Sequence, residues 1–295
     1  MAWPRPRCTL VLLAIFAAGC VGGSYGARTR YPSSEPEPPP APAVSLLSAH
    51  LTRYGDELPP LSGDEHGRER LVEGGEHTQD AILLVFSEEV DPLTLDPRAF
   101  GILRADGRRV RPVRAVLAPA DEGDENRSVT LLGNFGREGA PPVAVHVIGP
   151  LFAESGAELR GLDANITGPE QPLRPVLVER LEPNESRCPD AAQLLRSYWS
   201  DSLTHVGADD LAGIELRLAD GRVVHPIDFD DQAWREDDPP CPEDFSACLG
   251  PADDNVLDLC LDTGEAVVHL HFAAGLFSDP SGRPSAAADI PLPPP

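Results

Sequence analysis

Short apolar runs separated by turn residues make up most of the chain. Residues 81–86, 128–132 and 143–148 are rich in Val, Leu and Ile, and Gly, Pro, Asn or Asp lies close to their ends. Runs of this length and composition predict β-strands. Asp-Gly dipeptides at 106–107 and 220–221 lie between apolar runs and predict hairpin turns. The pattern therefore predicts an all-β fold of short antiparallel strands arranged as a sandwich.

The second half of the chain repeats the pattern of the first. Residues 102–108 (ILRADGR) are matched by 216–222 (LRLADGR), and Val-His-Val at 145–147 is matched by Val-His-Leu at 268–270. The offset is about 113 residues at the start of the repeat and about 125 at its end, so the second copy contains an insertion of roughly a dozen residues. This insertion lies near 231–253.

The repeat sets the expected domain organisation. A chain of 295 residues has room for two domains of ordinary size besides its termini. We expect one β-sandwich over 45–168 and a second over 169–290, and the second carries the acidic, Cys-containing insertion at about 231–253. Residues 291–295 are Pro-Leu-Pro-Pro-Pro and are expected to form a disordered tail.

One stretch of the first copy resembles a known family. Residues 82–92 (ILLVFSEEVDP), followed by Ala-Phe at 99–100 and Asp-Gly at 106–107, resemble the bacterial Ig-like domain of the S-layer SbsA type. The resemblance covers 45–168 and extends to 172–290 through the internal repeat. It implies tandem antiparallel Ig-like β-sandwiches. It also implies an envelope module that spaces, displays or adheres, and none of the matched residues is catalytic in that family.

The N-terminus has the features of an export signal. Two arginines precede an apolar stretch at 9–16 that is too short to cross a bilayer, and Ala-Ala-Gly-Cys follows at 17–20. This ending resembles a lipobox, which implies a lipoprotein signal peptide over 1–19 and lipidation of Cys20. The alternative is an ordinary secretory signal that is cut nearby, in which case Cys20 has no special role.

Residues 20–44 are expected to form a lipidated, disordered tether. The segment contains Gly, Ser and the Pro-rich run 35–42 (EPEPPPAP), which cannot bury a core. Val21 follows the cysteine where an aspartate would signal inner-membrane retention, so the resemblance to bacterial lipoproteins implies sorting to the outer membrane. We therefore expect a protein of the bacterial cell envelope that is held to the membrane through its lipid anchor.

The charge of the chain excludes one class of partner. There are 48 acidic residues against 24 basic ones, which gives a formal net charge of −24. A phosphate backbone would be repelled by this field, so no nucleic acid is expected as a partner. The expected partners are the membrane, through the anchor, and an unknown envelope or surface protein or glycan.

Four cysteines remain once Cys8 is removed with the signal and Cys20 is lipidated. In an exported chain, four cysteines indicate two disulfides, for which three connectivities exist. We favour one disulfide that closes the insertion and one that ties the start of the second copy to a core strand. The alternative is zinc, but no two of the four lie as close together as zinc motifs require. The favoured pairs are Cys241 with Cys248 and Cys188 with Cys260.

The insertion and its flanks are rich in aspartate and glutamate, whose oxygens Ca²⁺ prefers. Their spacing fits no EF-hand loop, and acidic runs usually lie hydrated on a surface, so we expect no cofactor and keep calcium as the alternative. The weak calcium candidates are Asp231, Asp237, Asp238, Asp253 and Asp254.

Two histidines provide another possible metal-binding feature. His269 and His271 flank Leu270 on a predicted strand, so both imidazoles are expected on one face. A third ligand is absent from the neighbouring sequence, and we favour two solvent-facing histidines over a metal site.

The motifs of the common hydrolases, P-loop enzymes and dinucleotide-binding enzymes are absent from the sequence. Hydrolysis by a pair of carboxylates is the remaining enzymatic alternative. We expect a non-enzymatic envelope lipoprotein whose loops are displayed for adhesion or for protein or glycan binding. The alternatives are a passive structural spacer and a calcium-stabilised module.

Overall fold

The computed structural model describes residues 44–52, 80–120, 125–136, 139–184, 187–204, 206–230 and 254–293. These residues form four antiparallel sheets of four strands each, and this confirms the predicted all-β sandwich fold. In the part of the chain that is described, no helix is long and apolar enough to cross a membrane. Three short 3₁₀ helices, Pro92–Thr94, Pro97–Ala99 and Ala208–Gly213, connect strands.

The first half of the chain forms one sandwich of two sheets, with strand orders β1-β2-β6-β5 and β4-β3-β7-β8. Alternate apolar side chains of both sheets meet between them, including Ile82, Phe86, Phe100 and Val145. The strands are β1 (Leu46–Thr52), β2 (Asp80–Phe86), β3 (Phe100–Arg104), β4 (Arg109–Val110), β5 (Arg114–Leu117), β6 (Ser128–Gly133), β7 (Pro142–Val147) and β8 (Asp163–Asn165).

The second half repeats this arrangement strand for strand, with orders β9-β10-β14-β13 and β12-β11-β15-β16. Its core is centred on Trp199, whose ring packs edge-on against Phe272 and Phe277. The strands are β9 (Pro175–Leu181), β10 (Gln193–Trp199), β11 (Ile214–Leu218), β12 (Val223–Val224), β13 (Asp228–Asp230), β14 (Val256–Leu261), β15 (Val267–Phe272) and β16 (Ala288–Pro291).

The repeat predicted from sequence is therefore a repeat of topology. The predicted insertion, 231–253, falls between β13 and β14 and lies outside the described residues. The equivalent connection in the first sandwich is the much shorter segment 118–127, between β5 and β6. Insertions are tolerated in such connections because they leave the strand pairing unchanged.

The two sandwiches pack against each other through their β2-containing and β10-containing sheets. The side chains of 81–86 on β2 and 194–199 on β10 are all buried, on both faces of each strand. Val85 and Ala120 of the first sandwich pack with Tyr198 and Val256 of the second. The four sheets therefore stack as four layers, and the two central sheets are covered on both sides.

Each sandwich contributes the same face to this contact. Val85 pairs with Ser128 across β2 and β6, and the equivalent pair across β10 and β14 is Tyr198 with Val256. The Nδ2 atom of Asn255 donates a hydrogen bond of 2.9 Å to Oγ of Ser128. The contact thus has the form of an isologous dimer interface, although both partners belong to one chain.

Candidate functional site

Strand β15 presents two histidines on the outer face of the second sandwich. Leu270 and Phe272 point into the core and are buried, whereas His269 and His271 are only partly buried. This alternation follows from the period of two along a strand, which directs neighbouring side chains to opposite faces. The prediction that both imidazoles share one face is confirmed.

The pairing of neighbouring strands places a carboxylate on each side of His271. Its register partner on β11 is Glu215, and its partner on β16 is Asp289. The Oδ1 atom of Asp289 lies 2.9 Å from Nδ1 of His271 and 4.0 Å from Nε2 of His269. One carboxylate oxygen therefore faces both imidazoles.

These four side chains line a shallow depression of about 200 Å³ together with Arg217 and Val223. We call it the imidazole depression. With neutral imidazoles its two carboxylates outweigh the single guanidinium, so its net charge is negative. The ring nitrogens add donor and acceptor atoms that bind metal ions as well as protons. Such a surface is suited to a cationic ligand.

The first sandwich has only part of this arrangement at the equivalent positions. His146 and Asp163 are register partners, as His271 and its aspartate are. The second imidazole is missing because Ala144 stands in its place, and Gly101 stands where the second sandwich has a glutamate. The full set of polar groups is therefore present in one copy of the repeat.

Sequence reasoning missed Asp289 and Glu215 as neighbours of the histidines. Asp289 is 18 residues from His271, and Glu215 is on a strand that precedes the insertion. Only the order of the strands in the sheet brings them together. A usable signal existed in the repeat, because an aspartate follows the histidine-containing strand in each copy, Asp163 in the first and Asp289 in the second. The match of 145–147 with 268–270 is two residues out of register, since the strand pairing aligns 145–147 with 270–272.

A second group of polar residues is buried where the two sandwiches meet. Arg196 on β10 donates two hydrogen bonds of 2.8 Å to the carboxylate of Asp258 on β14. Glu125 of the first sandwich lies 3.3 Å from Arg196 and 2.8 Å from Arg187. All four side chains are 6% exposed or less. We call this group the interface charge cluster.

The guanidinium groups and carboxylates of the cluster compensate one another's charges. Burial by itself lowers the pKa of Arg196, but the hydrogen bonds and charge of Asp258 outweigh that effect and raise this pKa above its usual range. Arg187 also lies 3.3 Å from Asp258, so two guanidinium groups face two carboxylates. Removal of one member of such a buried group strongly destabilises the fold, because it leaves a buried charge without compensation.

Two further polar contacts cross the same interface. The hydroxyl of Thr52 donates a 2.9 Å hydrogen bond to Asp201, and Nε2 of His50 lies 3.4 Å from the same carboxylate. Arg127 of the first sandwich pairs at 2.7 Å with Glu179 of β9. Together with the interface charge cluster, these contacts fix the orientation of one sandwich relative to the other.

Glu89 is a carboxyl group with an altered affinity for protons. Burial, followed by the negative charge of Glu154, raises its pKa to about 7, although the charge of Arg127 opposes the shift. It lies in the segment that follows β2, beside the contact between the sandwiches. The group therefore changes its protonation near neutral pH.

The structure contains one of the two favoured disulfides. Cys188 and Cys260 are bonded, with their Cα atoms 5.4 Å apart, and both residues are buried. The bond ties the segment before β10 to a central strand of the sheet, as predicted. Cys241 and Cys248 lie outside the described residues.

The calcium candidates fall almost entirely outside the described part of the chain. This applies to Asp231, Asp237, Asp238 and Asp253. Asp254 is described, and it has a structural role at the start of β14. Its Oδ1 accepts a 2.6 Å hydrogen bond from the backbone N–H of Val256, and its carbonyl accepts one from Leu203. Cys20 and the tether over 20–44 also lie outside, apart from Val44.

Comparison of the chain with known protein families gives no matching family model, and comparison with curated proteins gives no related sequence. Membership of the SbsA-type family therefore stays a prediction.

Proposed function

We propose that this chain is a non-enzymatic lipoprotein of the bacterial cell envelope, anchored through Cys20, whose sandwiches are displayed for adhesion or for protein or glycan binding. The buried disulfide between Cys188 and Cys260 supports the proposal that the chain is exported from the cytoplasm. Disulfides persist in oxidising compartments such as the periplasm and the cell surface. The lipobox-like 17–20 then provides the means of attachment.

The contact between the sandwiches supports a role in display. Two modules that are joined only by a linker reorient freely, whereas buried charges and an apolar cluster hold these two together. A single anchor would then carry one body of four layers. The Pro-rich run 35–42 would set the distance between that body and the membrane.

The surface proposed for partner binding is formed by the insertion 231–253 together with the end of the sandwich from which it leaves. The insertion makes the connection between β13 and β14, 231–255, longer than its counterpart between β5 and β6, 118–127. A second difference of similar size lies between β1 and β2, where 53–79 corresponds to the shorter 182–192. Loops carry binding functions more often than the strands that support them. A passive spacer is the second candidate, and it is favoured by the close similarity of the two topologies.

The anchor is tested by mass spectrometry of the mature N-terminus and by fractionation of cells. We expect the native protein in the membrane fraction, with its first residue Cys20 carrying diacylglycerol and an acyl group. Cys20→Ala should release the protein from that fraction, and Cys8→Ala is the matched control that should not. A native protein that is soluble and unmodified would refute the proposal.

Binding is tested by replacing 231–253 with a Gly-Ser linker of about eight residues, which restores the short connection of the first copy. The variant should keep the melting temperature of the native protein and lose its envelope partner in a crosslinked pull-down. If the same partner is recovered with the variant, the insertion is not the binding surface. If neither protein captures a partner, the passive spacer is favoured.

A further inference from the structure

We propose that the imidazole depression is a binding site for a divalent transition-metal ion, with His269, His271 and Asp289 as its protein ligands. The proposal does not depend on the proposed function. The sequence around His269 and His271 offers no third ligand. The structure supplies that ligand from β16, so the main objection to a metal no longer holds.

The donor atoms of the depression are of the kind that transition metals prefer. Two imidazole nitrogens and one carboxylate oxygen are the set that zinc and iron enzymes use when part of the coordination sphere is left open. Neutral imidazole favours Zn²⁺, Cu²⁺, Ni²⁺ and Fe²⁺ over Ca²⁺ and Mg²⁺, which prefer oxygen ligands alone. The site is therefore distinct in its chemistry from the acidic insertion.

The distances between the donor atoms can be compared with those of a tetrahedral zinc site. Bonds of about 2.0–2.2 Å to zinc place neighbouring donor atoms about 3.3 Å apart in a tetrahedral site. The Oδ1 atom of Asp289 is 2.9 Å from one imidazole nitrogen and 4.0 Å from the other, so these distances lie on either side of that value. As they stand, no three His, Cys, Asp or Glu side chains among the described residues are arranged to hold a metal ion, so the proposed ligands must move on binding. Movement of His269 towards Asp289 by less than about 1 Å would bring this pair of donor atoms to the tetrahedral spacing.

The side chains are free to make this adjustment. The exposed fractions of His269, His271 and Asp289 are 29%, 35% and 66%, and the strands beneath them are fixed by core residues. Metal binding would replace the proton that His271 Nδ1 donates to Asp289 in the hydrogen bond between them. A neutral imidazole can carry its proton on Nε2, which leaves Nδ1 available to the metal.

Electrostatics also favour a cation at this place. Glu215 is the register partner of His271 on the side opposite Asp289, and its carboxylate offsets the positive charge of Arg217. The net charge of −24 on the whole chain raises the local concentration of cations further.

The test uses the purified full chain and isothermal titration with Zn²⁺ in a buffer that does not bind metals. We expect His269→Ala, His271→Ala and Asp289→Asn each to weaken the tightest zinc site at least about tenfold, since loss of a group that only hydrogen-bonds to a metal ligand already costs about 10–100-fold. Asp289→Asn retains the shape of the side chain, and circular dichroism and melting temperature should be unchanged for all three.

The first sandwich provides the matched controls. His146→Ala and Asp163→Asn change the equivalent imidazole and carboxylate in a copy that lacks the second histidine, and zinc affinity should not change. Excess Ca²⁺ should not displace the zinc, and replacement of 231–253 should leave the site intact. Zinc binding that survives in His269→Ala and His271→Ala, or that calcium displaces, would overturn the proposal.

Discussion

Arg196 and Asp258 are register partners on two central strands, and their side chains are joined by two hydrogen bonds of 2.8 Å at 1% and 0% exposure. Both strands are otherwise largely apolar, as in the VLDLCL of β14. At the equivalent positions of the first sandwich, Leu83 pairs with Thr130. The same place in the repeat thus holds an ion pair in one copy and an uncharged pair in the other.

This relationship predicts a strong effect of removing one charge. Asp258→Ala leaves two buried guanidinium groups with one carboxylate, and it should lower the free energy of unfolding by about 3–5 kcal/mol. The double variant Arg196→Leu with Asp258→Thr copies the first sandwich, and it should recover part of that loss. Urea unfolding measures both. The single variants Asp258→Thr and Arg196→Leu complete the cycle, and single losses that add up to the loss of the double variant would show that the two residues are not energetically coupled.

The disulfide should contribute much of the stability of the second sandwich. Cys188 and Cys260 are separated by 72 residues, and closing a loop of that size reduces the entropy of the unfolded chain. Replacing both with Ala should reduce the free energy of unfolding by about 2–4 kcal/mol. The same change at Cys241 and Cys248 should have a smaller effect, because the first sandwich folds without that segment. A reversed order of the two effects would contradict this expectation.

Glu89 should make stability depend on pH. Its pKa of about 7 in the folded chain is above the ordinary value of 4.5, so the folded state holds the proton more tightly than the unfolded state does. The resulting stabilisation is complete below the unfolded pKa and is lost as the pH rises through about 7.

Glu89→Gln removes this titration. The free energy of unfolding of the variant, relative to that of the native chain, should therefore be higher at pH 8 than at pH 4.5. The expected gain is on the order of 1 kcal/mol, because a half-exposed group is partly screened by water. Urea midpoints at the two pH values measure it. Glu182→Gln, at an exposed position, is the control, and an identical response of both variants would exclude the assignment.

The hydroxyl of Tyr198 is expected not to stabilise the folded chain. The residue is buried between the sandwiches, and within the described structure its hydroxyl has no hydrogen-bond partner. Burial, followed by the charge of Glu179, raises its pKa above the usual value. Tyr198→Phe should therefore be neutral or stabilising by up to about 1 kcal/mol, whereas Tyr198→Ala should destabilise by about 3–5 kcal/mol. A clear loss of stability in the Phe variant would reveal a partner for the hydroxyl.

The strands and the repeat were predictable because both depend on local patterns. Alternation in 214–218 and the Asp-Gly turn at 220–221 mark a strand and a hairpin without knowledge of the rest of the chain. The disulfide between Cys188 and Cys260 was also predictable, since one cysteine precedes the second copy's core and the other lies in an apolar run.

The two polar sites were not predictable in the same way. Asp289 reaches the histidines only through the order of strands in the sheet, and sequence spacing does not specify that order. Likewise, Arg196 and Asp258 are charges in apolar strands, but their partner Glu125 belongs to the other sandwich. A charge within a run of buried residues was the available signal, because such a charge requires a partner somewhere in the fold.

Tandem linkage has a consequence for how the contact between the sandwiches can change. In a symmetric homodimer every substitution appears twice, once on each side of the axis. Here the two equivalent faces are encoded separately, so Leu83 can remain apolar while Arg196 is charged. Each half can therefore acquire features that its counterpart lacks, provided that the opposing surface accommodates them.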